Sequence, residues 1–139
     1  MKTNFQMILK LKTLIILMIF CYSTHSYSQS EDWVAPAKIA NRPSPYVNDV
    51  TAIKKGKKIY EKLCTTCHGN LGKGDGPTAK TLDPKPADHT SEGVQNQGDG
   101  AIYWKLSTGR GVMPAFQELL SKTERWQLVA YIKTLDETN

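Results

Sequence analysis

The residues with the most distinctive chemistry are Cys64, Cys67 and His68, which lie in the pentapeptide Cys-Thr-Thr-Cys-His. Two thiols three positions apart, followed at once by an imidazole, have the spacing that attaches a c-type haem. Each thiol can add to one vinyl group of the porphyrin, and the histidine can bind the iron as its proximal ligand. The motif therefore predicts one covalently held haem c at these three side chains.

Other uses of the same residues are open. A redox CxxC is typical of a chain with a βαβ pattern, whereas the residues before Cys64 have helical periodicity. A zinc site needs about four nitrogen or sulfur ligands, and outside residues 1–28 the chain adds only His89 to the pentapeptide. A structural disulfide would leave the adjacent histidine unexplained. Haem attachment explains more residues than these alternatives, because it also uses a methionine.

That methionine is Met113, the predicted second axial ligand of the iron. A thioether can ligate haem iron, and it raises the potential relative to two imidazoles. Met113 lies in the sequence Gly-Arg-Gly-Val-Met-Pro, residues 109–114, whose glycines and proline break regular structure and can present a side chain to a metal. The other three methionines all precede residue 29.

The competing axial ligand is His89. It stands between Asp88 and Thr90 in a segment without apolar periodicity. These neighbours favour a solvated loop, so we predict His68 and Met113 as the axial pair.

The first 28 residues have the composition of a secretory signal peptide. Lysines but no acids occur up to residue 12, residues 13–20 are apolar, and Ser26 and Ser28 are small residues suited to cleavage before Gln29. The apolar run is shorter than the about 20 residues that span a membrane. We therefore predict export to the periplasm or another extracytoplasmic compartment, with lipid attachment at Cys21 as the less favoured alternative.

The net charge argues against a nucleic-acid partner. The chain has 18 basic and 13 acidic residues, giving +5. Three of the 18 basic residues lie in the leader, so the exported part keeps 15 against 13, or +2. A domain that binds nucleic acid is typically far more basic.

The remaining chain predicts an arm and one all-α domain. Residues 29–48 contain three prolines and few periodic apolar positions, so we predict an extended arm without regular helix. Residues 49–139 form the predicted domain, whose first helix begins between Asn48 and Thr51 and ends near Leu63. Glycine-rich residues 69–76 predict a loop.

Two later helices have clear boundary signals. Asp99 is the predicted N-cap of a helix that ends near Thr108, with Gly109 as its C-cap. Ser121 and Glu124 form a capping box at the start of the last helix, which we expect to continue to about residue 136. No stretch alternates as a half-buried strand would, so the predicted class is all-α.

Residues 51–135 resemble the class I c-type cytochromes, the mono-haem cytochrome c family. They share a CxxCH motif after the first helix, a methionine in a later loop and a closing helix. The resemblance implies a cytochrome c fold in which the N- and C-terminal helices cross around one covalently bound haem. Gly56 and Tyr60 match the family's contact pair on the first helix, and Leu128 and Tyr131 match the pair on the last.

The resemblance also implies contacts around the haem. The Pro77 carbonyl would accept the Nδ1 proton of the proximal histidine, with Pro84 and Pro86 as alternatives. Trp104 and Arg110 would bind the haem propionates.

The implied function is extracytoplasmic one-electron transfer with redox protein partners, donor and acceptor, and without enzymatic turnover by the protein itself. One alternative is a cytochrome subunit of a respiratory or dehydrogenase complex, in association with a membrane complex. Another is a haem enzyme or gas sensor in which Met113 is displaced.

Overall fold

The computed structural model describes residues 33–136. The predicted leader of residues 1–28, with Cys21, and the start of the arm lie outside the described residues. The described part contains six α-helices and two 3₁₀ turns: α1 (Ala37–Ala40), α2 (Val50–Leu63), α3 (Thr65–His68), α4 (Glu92–Gln95), α5 (Asp99–Thr108), α6 (Lys122–Ile132) and the 3₁₀ turns Ala79–Thr81 and Phe116–Glu118. It contains no β-strand, and the all-α prediction is confirmed.

None of the helices between residues 33 and 136 has the length and apolar character needed to cross a membrane.

The fold is built on the crossing of α2 with α6. Gly56 of α2 lies so close to α6 that a Cβ atom in its place would overlap the carbonyl oxygen of Gln127 and approach the Cβ of Tyr131 to 3.0 Å. One turn later, the rings of Tyr60 and Tyr131 meet edge to face with centroids 5.2 Å apart. Leu128, fully buried, completes the contact. The crossing predicted from these four residues is confirmed.

Side-chain caps fix where these two helices begin. The Asp49 carboxylate accepts hydrogen bonds from the backbone N–H groups of Thr51 and Ala52 at 2.9 and 3.0 Å. At α6 the Ser121 hydroxyl accepts from the Glu124 N–H at 3.2 Å, and the Glu124 carboxylate accepts from the Ser121 N–H at 2.9 Å. Both predicted starts are confirmed, although α6 ends at Ile132, a turn earlier than predicted.

The predicted N-cap of α5 is wrong. Gly98 is the N-cap and Asp99 the first helical residue, because the Asp99 carboxylate is engaged elsewhere: it accepts a hydrogen bond from the Ser44 N–H of the arm at 2.9 Å. The C-terminal end is as predicted, since Gly109 caps α5 with a positive φ of 62°.

The described part of the arm packs on α5, and its prediction as non-helical is wrong. One helical turn, α1, forms there and contacts α5. The helices α1 and α5 approach so closely at Gly100 that a Cβ atom at this position would overlap the Ile39 carbonyl oxygen. The Trp33 ring also lies 6.5 Å from the ring of Trp104, centroid to centroid.

Candidate functional site

The two cysteines lie at the junction of α2 and α3. The Cys64 carbonyl accepts the N–H groups of Cys67 and His68 at 3.2 and 2.8 Å, so the motif is one compact turn. Both thiols are free; Cys64 is buried and Cys67 half-buried, with its sulfur 3.4 Å from the Thr78 hydroxyl. Desolvation, with a smaller effect from Cys67, raises the pKa of Cys64 to about 12. Cys64 therefore carries a neutral thiol at neutral pH.

His68 is held in the form that binds a metal. Its Nδ1 lies 2.9 Å from the carbonyl oxygen of Ala87 and donates its proton to it. Burial lowers the pKa of His68, against a smaller opposing effect of this hydrogen bond. The ring is consequently neutral, and the lone pair of Nε2 remains available to a metal ion.

The predicted role of Pro77 at this hydrogen bond is wrong, because Ala87 supplies the carbonyl. The chain after His68 folds straight back on the motif: the Gly74 N–H donates to the His68 carbonyl at 2.9 Å and the Gly76 N–H to that of Cys67 at 3.1 Å. This reversal leaves Pro77 exposed, lining a surface cleft with residues between the two cysteines. The carbonyl that accepts the His68 Nδ1 proton is that of Ala87, in the loop that follows the 3₁₀ turn Ala79–Thr81.

His89 is buried, with an exposed fraction of 8%, and the prediction of a solvated loop is wrong. Its ring stacks on that of His68, with centroids 4.1 Å apart and an angle of 17° between the planes. Two rings that bound one iron from opposite sides would be separated by the metal and would meet end-on. The stacked arrangement is not that of two ligands on opposite sides of one iron, and it does not support His89 as the ligand opposite His68.

Tyr60 contacts the other side of this pair. Its hydroxyl lies 3.2 Å from Nδ1 of His89. Desolvation raises the pKa of Tyr60, so its hydroxyl keeps the proton and can donate it. Desolvation also lowers the pKa of His89 to about 3, and the neighbouring His68 acts in the same direction. His89 is thus a neutral ring that accepts from Tyr60.

The backbone of His89 is fixed from both sides. Its N–H donates to the Gly72 carbonyl at 2.6 Å. Its carbonyl accepts from the Gln95 side-chain amide at 2.6 Å, and the same amide donates to the Ile132 carbonyl at 2.9 Å. Gln95 therefore ties the loop below His68 to the end of α6.

Met113 lies in a tight loop between α5 and the second 3₁₀ turn. Met113 and Arg110 exchange two backbone hydrogen bonds of 3.0 Å, and Gly109 and Gly111 allow this turn through their positive φ values of 62° and 57°. The Met113 side chain is half-buried against the hydrophobic core. Arg110 is exposed, whereas Trp104 is half-buried against Trp33. The roles of these three residues toward a haem stay predictions.

The donor set fits a covalently attached haem. Two free thiols on one turn of chain suit the two vinyl groups, and the neutral imidazole with a free Nε2 suits the iron. Within residues 33–136, no three or more His, Cys, Asp and Glu side chains are grouped so that they could hold a metal ion. The zinc alternative lacks a ligand set there, and the redox CxxC alternative lacks its βαβ context.

Fold and site define a class I c-type cytochrome, an all-α electron-transfer domain whose cofactor is covalently bound haem c. Residues 51–132 match the family described as cytochrome c oxidase, cbb3-type, subunit III. The chain belongs to this family.

Curated relatives are similar over the same region. The chain is 37% identical over 90 residues to the cbb3-type cytochrome c oxidase subunit FixP of Azorhizobium caulinodans, covering 63% of this chain and 28% of that protein. It is 30% identical over 95 residues to the cytochrome bc1 complex cytochrome c subunit of Corynebacterium diphtheriae, covering 65% of this chain and 30% of that protein. The matched region thus spans less than a third of the length of either relative.

A solved structure is similar in both fold and sequence. It is a chain of the reducing HAO-like protein complex of Kuenenia stuttgartiensis, with a TM-score of 0.57 and 33% identity over 74% of this chain and 50% of that chain.

Proposed function

We propose that this chain is an extracytoplasmic one-electron carrier with a single haem c. Cys64 and Cys67 form the two thioether bonds, and His68 and Met113 bind the iron from opposite faces. Trp104 and Arg110 are the proposed donors to the haem propionates. The bound haem supplies a ferrous and ferric couple, while the chain supplies attachment, ligand orientation and a low-polarity surrounding.

The observation that carries this proposal is the state of His68. The Ala87 carbonyl engages Nδ1 and leaves Nε2 as the ligating atom, beside two unpaired thiols. A metal-binding histidine commonly donates its other ring proton to a carbonyl or carboxylate, which fixes its tautomer and orientation. With Met113 as sixth ligand, the iron has no open position, and the protein itself should transfer electrons without turning over a small molecule.

The substitution Met113→Ala tests the sixth ligand. We expect a lower reduction potential, loss of the weak red absorption band of sulfur-ligated ferric haem, and binding of carbon monoxide by the ferrous protein, because a thioether ligand raises the potential and occupies the position. Val112→Ala is the matched control, since Val112 is the neighbouring residue and is 69% exposed. Spectra and potential of the Met113 variant identical to wild type would refute Met113 as the ligand.

The same experiment separates the carrier from a haem enzyme or gas sensor. In such a protein Met113 would leave the iron, and the wild type itself would bind carbon monoxide readily. We expect the wild type to bind it far more weakly than Met113→Ala does.

A second candidate function is that of a cytochrome subunit in a redox complex. It is favoured by the relatives, which are named as subunits of a cbb3-type oxidase and a bc1 complex. Purification from the native source at native abundance distinguishes the two: a free carrier elutes alone, whereas a subunit elutes with its complex.

A further inference from the structure

His89 is not among the proposed haem ligands, yet it is buried and its ring stacks on that of the proposed proximal ligand, His68. We propose that His89 is a positioning residue that fixes the plane of the His68 ring. This inference rests on the proposed ligation of iron by His68 and goes beyond it, since it concerns the orientation of that ligand.

Two contacts from one short segment hold the His68 ring. The Ala87 carbonyl accepts its Nδ1 proton at 2.9 Å, and the His89 ring, two residues later, covers one of its faces at 4.1 Å. Rotation of the His68 ring about its own axis would carry Nδ1 away from the carbonyl and tilt the ring out of the stack. Both contacts therefore oppose the same motion.

His89 can impose this orientation because it is itself immobilised. The Tyr60 hydroxyl lies 3.2 Å from its Nδ1, and the two rings meet edge to face at 5.8 Å. Tyr60 has an exposed fraction of 0% and belongs to α2, the helix that carries the haem motif at its end. Tyr60 thus connects the orientation of the His68 ring, through His89, to the crossing of α2 and α6.

The surrounding backbone leaves His89 little room to move. A Cβ at Gly72 would lie 3.2 Å from the Cβ of His89 and 3.4 Å from the Tyr60 hydroxyl. The His89 N–H also donates to the Gly72 carbonyl, and the His89 carbonyl accepts from the Gln95 side chain. This packing and these two hydrogen bonds restrict the position and the tilt of the His89 ring. A flat ring at position 89 can stack on His68, whereas a branched aliphatic side chain of similar volume cannot.

The consequence for the site is electronic. In ferric low-spin haem, the orientations of both axial ligands, including that of the imidazole plane, influence how the unpaired spin is distributed over the porphyrin. Orientation of metal ligands by their outer partners is a general means of tuning a metal centre. His89 should therefore influence the magnetic spectrum of the oxidised protein without touching the iron.

The test compares His89→Leu with His89→Phe in the haem-loaded protein. Leucine fills the space without a flat face, and phenylalanine keeps the flat face. We expect His89→Leu to shift the haem methyl proton resonances of the ferric protein and to speed exchange of the His68 Nδ1 proton. We expect clearly smaller changes in His89→Phe, which keeps the stacked ring and loses only the hydrogen bond with Tyr60. Equal spectra of the leucine variant and wild type, or equal changes in both variants, would overturn the proposal.

A milder pair of variants tests the contact from Tyr60. Tyr60→Phe removes the hydroxyl next to His89, and Tyr131→Phe removes a phenol hydroxyl from the same helix crossing as a control. We expect the haem methyl proton resonances to shift in Tyr60→Phe and to stay at their wild-type positions in Tyr131→Phe. Both readouts use the isolated ferric protein, so they do not depend on electron exchange with partners. A failure of the protein to exchange electrons would instead contradict the proposed carrier function.

Discussion

At the scale of single residues, Asp88 shapes the turn that brings its neighbours Ala87 and His89 against His68. Its carboxylate accepts hydrogen bonds from the Thr90 N–H at 2.8 Å and from the Thr90 hydroxyl at 2.7 Å. The hydroxyl bond is the main reason that the pKa of Asp88 is lowered. Folding therefore favours the ionised carboxylate.

The pH dependence of the melting temperature should show how much the Asp88 carboxylate contributes to stability. A carboxyl group whose pKa is lowered by folding contributes stability above its ordinary pKa of 3.8 and loses it as the pH falls through the lowered value. We expect Asp88→Asn to melt at a lower temperature than wild type at neutral pH and the difference to shrink in strong acid.

Asp83→Asn is the control for this measurement, because Asp83 is an exposed carboxylate of the same loop. A difference between wild type and Asp88→Asn that stays constant as the pH is lowered would contradict the expectation. Thermal unfolding followed by circular dichroism at several pH values measures it.

The residues of the site differ in how far the sequence could predict them. Cys64, Cys67 and His68 form a contiguous motif, and the structure holds them together in one turn. Ala87 contributes only a backbone oxygen, which any residue could supply, so nothing in its side chain indicated the role. The burial of His89 also lacked a local signal, because it arises from Tyr60, Gly72 and His68, all distant in sequence.

At the scale of elements, the contact between α2 and α6 depends on the absence of a side chain at Gly56. The site lies directly after α2, and α6 is tied to the loop below His68 through Gln95. A shift between the two helices would therefore reach the loop that contacts His68.

The substitution Gly56→Ala tests this dependence. Alanine favours a helix by roughly 1 kcal/mol over glycine, but its Cβ would overlap the backbone carbonyl of Gln127, which no side-chain rotation can relieve. We expect a net loss of about 1–3 kcal/mol in the free energy of unfolding, as for other overpacked cores. Chemical denaturation of the haem-loaded protein measures the loss.

The matched control is Gly93→Ala at an exposed position of α4. A Cβ there would meet no atom closer than 3.9 Å, the Ser91 hydroxyl. Its stability should stay the same or increase slightly. If Gly56→Ala were as stable as Gly93→Ala, the close approach of the two helices would not be required.

Element boundaries were predictable where the signal is local. The capping box at Ser121 and the cap before α2 depend on side chains within three residues, and both are present. The α5 start was misassigned because the Asp99 carboxylate bonds to Ser44, 55 residues earlier. The short helix α1 likewise forms against the glycine-rich start of α5. This is a tertiary contact, and the sequence of residues 37–40 has no apolar periodicity that would predict a helix.

At the scale of the whole molecule, positive charge is concentrated on α2. Five exposed lysines lie along this helix, compared with one acidic residue, Glu61, which pairs with Lys57 at 4.0 Å. The five are Lys54, Lys55, Lys57, Lys58 and Lys62. Because α2 leads directly into the haem motif, we expect this charge to attract a negatively charged reaction partner toward the proposed haem edge.

The rate of electron transfer to an anionic oxidant should therefore depend on where positive charge is removed. We expect the double variant Lys57→Gln with Lys58→Gln to be oxidised by ferricyanide several-fold more slowly than wild type at low ionic strength, within the range of electrostatic steering. Lys38→Gln with Lys122→Gln, two exposed lysines on α1 and α6, removes the same net charge and should react nearly as fast as wild type. Added salt should abolish the difference, because it screens exposed charges. Equal slowing of both double variants in stopped-flow measurements would mean that only net charge matters, and that α2 is not the approach surface.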